Sequence, residues 1–241
     1  MASAQIYPAP LTPELVALLS GVATATLTAQ LQRRGIRNTF FTGLAPIKPG
    51  LRMIGTAKTL RYVPMREDLV PMLQAGVNAQ RRAVETIEPG QVLVIEARNS
   101  PEAGTIGDVL SMRALARGAT GIITDGCVRD SAAVGQLDIP VYLQTTHAAT
   151  LSRDHLPLDI DIPIACAGVL VMPGDVIVGD DDGAMVIPAA LVEEVARDAA
   201  EQERRDAWSF ERVRAGDSTV GVFPISADRM AEYEAWKAAR G

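Results

Sequence analysis

The chain has 241 residues, 23 Lys+Arg against 29 Asp+Glu, a formal net charge of −6, two cysteines and two histidines. Lysine occurs only as Lys48, Lys58 and Lys237, and histidine only as His147 and His155. A His/Cys zinc site, a histidine-dependent triad and a Schiff-base lysine therefore have few candidates, which leaves arginine and carboxylates as the working groups.

Hydrophobic content of 48% with 22% charged residues is ordinary globular composition. The acidic balance argues against non-specific nucleic-acid binding, which needs a basic face. Cys127 and Cys166 cannot form a disulfide framework, so a reducing, cytoplasmic setting is expected. The N-terminal residues lack a basic segment followed by an apolar run, so no signal peptide is expected. No apolar stretch reaches ~18 residues, so no membrane partner is expected either.

In chain order, Thr12-Pro13-Glu14 reads as a helix cap with proline in the first turn, and the helix runs towards Ser20. A second helix covers residues 24 to 34 and stops at Gly35. Asp68 is expected to cap a third, running to Thr86 with Pro71 in its first turn. Pro-Gly occurs three times, at 49–50, 89–90 and 173–174, each time ahead of a β-like run. Residues 108–117 read as helix, 121–124 as a short buried strand, 130–137 as a short helix and 140–144 as a strand. This rhythm predicts an α/β fold with a parallel or mixed sheet. Residues 145–163, with both histidines, read as loop, and 189–214 as a long charged amphipathic helix.

The segment from Gly104 to Asp130, GTIGDVLSMRALARGATGIITDGCVRD, gathers the chemistry. Gly107-Asp108 opens a helix whose first N–H groups, at Asp108, Val109 and Leu110, lack helical partners and suit an anion. The next strand exits into Arg129-Asp130, and the carboxyl ends of strands are where α/β folds place ligands. Arg129 can grip a carboxylate with two parallel hydrogen bonds. Asp130 can bind a cation, with Asp108 as a second contact, direct or through water. Oxygen donors with retained water suit Mg²⁺ or Mn²⁺. Such a cation on a 2-oxo acid would polarise the ketone and favour an enolate at C3.

Other features read as structural. Asp180-Asp181-Asp182-Gly183 fits a type I′ hairpin turn better than a metal cluster. Cys127 reads as a bystander thiol, Lys58 as an ion-paired strand lysine, His147 and His155 as incidental loop residues, and Arg61 and Arg98 as surface residues.

Asp108, twenty intervening residues and then Arg129-Asp130, inside the wider GD…RG..G…DG.VRD pattern, resembles the RraA-like family. That family is named after the regulator of RNase E activity and includes 4-hydroxy-4-methyl-2-oxoglutarate/4-carboxy-4-hydroxy-2-oxoadipate aldolases. Ile139-Pro140-Val141 and Pro173-Gly174-Asp175 with Asp181-Asp182-Gly183 resemble its later landmarks. The resemblance implies one RraA-like domain over residues 1–241, with a helical N-terminal segment and an extended helical tail. The implied fold is an α/β/α sandwich with a mixed sheet, like a swivelling phosphohistidine domain, assembled as a homotrimer or hexamer.

By the same resemblance, Arg129 holds the pyruvyl carboxylate, Asp130 ligates the cation and Asp108 binds its water shell. The amides from Gly107 to Leu110 help bind substrate. Glu203, with Glu201 close behind, would complete the metal site from a neighbouring subunit. The implied activity is a metal-dependent lyase on 2-oxo acids, by aldol cleavage to pyruvate or by oxaloacetate decarboxylation. Two other readings stand beside it: a dehydratase or hydrolase of 2-keto-3-deoxy sugar acids, suggested by the long C-terminal section, and a non-catalytic RNase E-type regulator.

Overall fold

The computed structural model describes residues 11–73 and 76–240. Two helices open it, α1 (Pro13–Ser20) and α2 (Thr24–Arg33). Thr12 caps α1 as expected: its hydroxyl accepts the Leu15 N–H at 3.3 Å, with Pro13 in the first turn. The start of α2 is capped from far along the chain, because Asp180 accepts the Thr24 N–H and hydroxyl at 2.8 and 2.7 Å. Then follow β1 (Ala45–Pro46) and β2 (Met53–Pro64).

The single helix expected from Asp68 to Thr86 is two pieces, α3 (Val70–Leu73) and α4 (Ala79–Thr86). Asn78 caps α4 through the Arg81 N–H, while Asp68 spends its carboxylate on Arg66. The α/β centre comprises β3 (Gln91–Glu96), β4 (Gly104–Ile106), α5 (Asp108–Ala116), β5 (Gly121–Val128), α6 (Ser131–Val134) and β6 (Val141–Thr146). β5 is twice its expected length and takes in Asp125 to Val128, which read as loop in the sequence.

The expected loop 145–163 contains β7 (His155–Ile160), which pairs antiparallel with β2. His155 is therefore a fully buried strand residue and not a loop histidine. The hairpin β8 (Ile164–Cys166) and β9 (Val169–Val171) precedes a second hairpin, β10 (Val176–Asp180) and β11 (Gly183–Ile187). The β10–β11 turn is not type I′, because the positive φ falls on Gly183 and not on Asp181 or Asp182. The chain ends in α7 (Val192–Arg214) and α8 (Met230–Ala238).

All three Pro-Gly turns stand at strand entrances, with Gly50, Gly90 and Gly174 at φ of 82°, 84° and 87°. The nine-stranded mixed sheet has the main path β1-β6-β5-β3-β2-β10-β11, with β4 added to β5 and β7 to β2. Its parallel centre is β2, β3, β5 and β6. One segment joins the two ends of the path. Thr39 to Phe41 bond to β11, and Ala45 to Ile47 bond to β6. The sheet is thus curled almost shut.

Alternation along the strands sorts the core. Leu93 and Ile95 of β3 pack with Ala83, Val84 and Ala114 of α4 and α5. Val92 and Val94 face inward, against Ile164 and Val171 of the β8–β9 hairpin. Val176, Val178, Met185 and Ile187 turn outward onto α1, α2 and α7. Helices therefore flank a mixed sheet on two sides, as an α/β layered fold requires.

Candidate active site

The site is built where β5 ends. The Arg129 N–H donates to Ile106 O at 2.9 Å, which fastens the residue after the strand to β4. Asp130 then turns into the left-handed region, at φ 53° and ψ 38°. This conformation is costly for a residue with a side chain, and Asp tolerates it better than most. Asp130 occupies the cap position of α6, yet its carboxylate makes no capping hydrogen bond. The backbone presents that carboxylate without spending it on local structure.

Two glycines make room. A Cβ on Gly107 would stand 2.7 Å from Asp130 Oδ2. A Cβ on Gly104 would lie 2.1 Å and 2.8 Å from Cγ and Cδ of Arg129. Only bare backbone lets β4 and the start of α5 come so close to both side chains. Among the described residues no carboxylate pairs with Arg129, while Arg98 and Arg153, on nearby segments, pair with Asp154 and Glu102.

Arg129, Asp130, Gly107, Asp108, Val109 and Leu110 together line one cleft of about 320 Å³. An adjoining hollow of about 590 Å³ shares Asp108 and Asp130 and adds Ser131, Thr146 and His147. Asp108 and Asp130 therefore stand on the divide between two halves of one groove. The amide cradle is narrower than the sequence suggests, since the Val109 N–H is taken by Asp108 Oδ1 at 2.7 Å.

Asp108 and Asp130 offer hard oxygen donors only, which fit a cation that keeps part of its water shell. Among the described residues no group of three or more His, Cys, Asp or Glu forms a closed cation cage. Glu203, the expected third acid, is elsewhere in the chain's own fold: its Oε1 accepts the Ala23 N–H at 3.0 Å, at the start of α2. Glu201 is also occupied. Despite partial burial, hydrogen bonds from Lys237, Tyr233 and Arg204 pull its carboxyl down to about 2, and it anchors α8 to α7. Within one protomer neither acid reaches the cleft.

Several residues that shape the cleft were not singled out from the sequence. Gln80, on α4, and Thr150 and Leu151, beyond β6, line it. The strap carrying Thr150 is held by Gly104 N–H to Ala149 O at 3.0 Å and by Asp154, which accepts from Arg98 Nη2 at 2.9 Å and from the Ser100 hydroxyl. Arg98 is thus a structural clamp and not a free surface residue. Beneath the clamp, burial holds the His155 imidazole below its usual pKa, against the pull of Asp154.

Asp125, fully buried at a register break in β5, accepts the N–H groups of Ala97, Asn99 and Ala167. Burial raises its pKa against those three donors. No local sequence pattern marks this clamp, because its donors are backbone N–H groups of two distant segments. Its partners converge only through the fold. Cys127 is buried and donates its thiol to Pro101 O at 3.2 Å, and Lys58 pairs with Asp161 at 2.8 Å, both as expected of structural residues.

The chain thus has a mixed α/β fold with an Arg-Asp pair at a central strand end, facing a glycine-opened helix start. The chain belongs to the RraA-like family, whose Aldolase/RraA model matches residues 24–186. A relative from Halalkalibacterium halodurans, provisionally named 4-hydroxy-4-methyl-2-oxoglutarate aldolase, is 31% identical over 68% of this chain and 72% of its own length. A Streptomyces coelicolor structure, described as an unusual member of the RNase ES inhibitor RraA protein family, superimposes with a TM-score of 0.76. It is 34% identical and covers 83% of this chain and 98% of its own. An uncharacterized protein from Pseudomonas syringae shares the fold at a TM-score of 0.77 and 23% identity, covering 89% of this chain and 98% of its own.

Proposed function

We propose that this protein is a divalent-cation-dependent carbon–carbon lyase acting on 2-oxo acids. It cleaves a 4-hydroxy-2-oxo acid to release pyruvate, or decarboxylates oxaloacetate. One observation carries the reading. Consecutive residues at a strand end present an unpaired guanidinium and an unspent carboxylate to the same glycine-opened cleft.

Arg129 holds the substrate carboxylate through two parallel hydrogen bonds. Asp130 and Asp108 hold Mg²⁺ or Mn²⁺, and the cation when bound polarises the C2 carbonyl. Asp108 positions a water that takes the C4 hydroxyl proton. The C3–C4 bond then breaks with its electron pair drawn towards the C2 oxygen, and C3 regains a proton from water. The products are pyruvate and a carbonyl compound. The working form is a homotrimer or hexamer, in which a neighbouring α7 brings further acid to the cleft. Light scattering on the purified protein tests that assembly. Two free, buried cysteines suit a reducing cytoplasm, and among the described residues no single helix is long and apolar enough to cross a membrane.

The test is pyruvate release from a panel of 4-hydroxy-2-oxo acids and oxaloacetate, with chelated protein reloaded with Mg²⁺ or Mn²⁺. Asp130→Ala abolishes turnover, and Arg129→Ala chiefly raises KM. Absence of pyruvate from every member sinks the lyase reading, and NMR of the same mixtures reveals dehydration or hydrolysis instead. A second reading, regulation of an RNase E-type nuclease, draws on the likeness to the Streptomyces protein. A stable nuclease complex that survives Asp130→Ala would favour it.

A further inference from the structure

We infer that His147 is a specificity-determining residue, whose Nε2–H donates to an oxygen at the far end of the substrate, beyond the bond that breaks. This rests on the lyase reading above and gives the leaving half of the molecule a residue that reads it.

His147, incidental in the sequence, directly follows β6. Its N–H donates at 3.1 Å to the carbonyl of Val128, the residue before Arg129. Two residues on, the Ala149 N–H donates to His147 Nδ1 at 3.0 Å. A backbone N–H only donates, so Nδ1 must accept, and the proton of the neutral ring sits on Nε2. That nitrogen has no protein partner among the described residues, and it is not sealed off as His155 Nε2 is. The half-buried ring lines the hollow that adjoins the cleft, so an oriented donor is left to that hollow.

The groups follow one another along the groove in a definite order. Arg129 lines only the cleft, Asp108 and Asp130 line both halves, and His147 lines only the hollow. A 2-oxo acid carries its groups in the same order: the C1 carboxylate, the C2 oxygen that a cation at the two acids would take, then C4 and what it bears. With C1 on Arg129, the leaving half passes the acids and enters the hollow. No lysine or arginine lines the hollow among the described residues, and its other side-chain donors are the hydroxyls of Ser131 and Thr146. A hydroxyl turns to donate or to accept, whereas the imidazole proton is held in place by the bond at Nδ1. His147 therefore favours a carboxylate or another acceptor at the far end over an alkyl group.

The experiment compares 2-oxoglutarate and 2-oxopentanoate as competitive inhibitors of pyruvate release from 4-hydroxy-4-methyl-2-oxoglutarate. The two acids have equal chain length and end in a carboxylate or a methyl, and neither has the C4 hydroxyl that cleavage needs. Wild type should bind the dicarboxylate at least about tenfold more tightly, the size of one hydrogen bond to a charged group. His147→Asn keeps an acceptor for the Ala149 N–H, because Asn readily bonds the backbone two residues on, but it brings no donor to the far end. It should lose the preference while Tm stays within about 2 °C of wild type. His147→Gln sets an amide N–H near the place of Nε2 and should keep most of the preference. Nitrogen NMR of the wild-type imidazole should show the proton on Nε2, with a larger shift on adding 2-oxoglutarate than 2-oxopentanoate. Equal binding of the two acids by wild type, an undiminished preference in His147→Asn, or a neutral ring protonated on Nδ1 overturns the inference and leaves the lyase reading intact. No pyruvate from 4-hydroxy-4-methyl-2-oxoglutarate or from oxaloacetate overturns both. The wild-type inhibition and spectrum decide the matter even if both variants fail to fold.

Discussion

Gly104→Ala isolates the role of Arg129 without touching its charge. The new methyl would lie 2.1 Å from Arg129 Cγ, 2.8 Å from Cδ and 3.3 Å from Ala149 O. The clash falls at the root of the arginine stem, so the guanidinium must leave its place over the cleft. Losing a charge-assisted hydrogen-bond pair costs about 1.5–3 kcal/mol. That converts to a roughly 10- to 150-fold rise in KM at about 1.4 kcal/mol per decade. Overpacking adds a stability cost of about 1–3 kcal/mol, or roughly 2–12 °C in Tm for a chain of this size.

Gly107→Ala is the matched control, because its methyl would stand 2.7 Å from Asp130 Oδ2 instead. It should raise the Mn²⁺ concentration needed for half-maximal activity far more than it raises substrate KM. The assay is pyruvate release against substrate at saturating Mn²⁺, then against Mn²⁺ at saturating substrate, with Tm measured alongside. A folded Gly104→Ala protein with KM within twofold of wild type would refute the placement of Arg129 on the substrate.

Three further outcomes are expected. Asp130→Asn keeps a residue that tolerates the left-handed backbone, so Tm should hold within about 2 °C while cation-dependent turnover falls at least about 100-fold. Asp125→Ala strands the N–H groups of Ala97, Asn99 and Ala167, and urea unfolding should show a loss of about 3 kcal/mol or more, with Asp125→Asn milder because its amide oxygen still accepts. Burial lowers the folded His155 pKa, so the unfolded chain takes up that proton first. Stability from this residue is complete above the unfolded value of about 6.5 and declines as pH falls through the folded one. Urea midpoints at pH 7.5, 6.5 and 5.5 should fall on acidification, with a flatter trend in His155→Phe. An equal slope in the variant would assign the effect to other groups.

The local signals in the sequence translated well. Thr12, the three Pro-Gly turns and the apolar runs after them reported the caps and strand entrances, because each depends on neighbours a few residues away. The spacing from Asp108 to Arg129-Asp130 was legible for a similar reason. It is the length of one helix, one turn and one strand, and the fold returns the chain to its starting edge. Features that need distant partners were not legible. β5 continued through Asp125-Gly126 because three amides from two other segments satisfy the carboxylate there. His155 looked like a loop residue because its strand is completed by β2, almost a hundred positions earlier. Gln80 gave no signal, since nothing in its helix reveals that Thr105 will orient its amide. The Asp180–Asp182 cluster was rightly read as structural, though its work includes capping α2, which no turn rule predicts.

The segment from Thr39 to Ile47 changes partners halfway, bonding to β11 at its start and to β6 at its end. The main path of the sheet is left with no long unpaired border. Such borders are the usual route by which one chain recruits another through backbone pairing, whether productively or into aggregates. Along that path copies of this protein have no backbone edge to share. The free edges that remain belong to β4, to β7 and to the two-stranded β8–β9 sheet, so backbone recruitment is confined to those short strands.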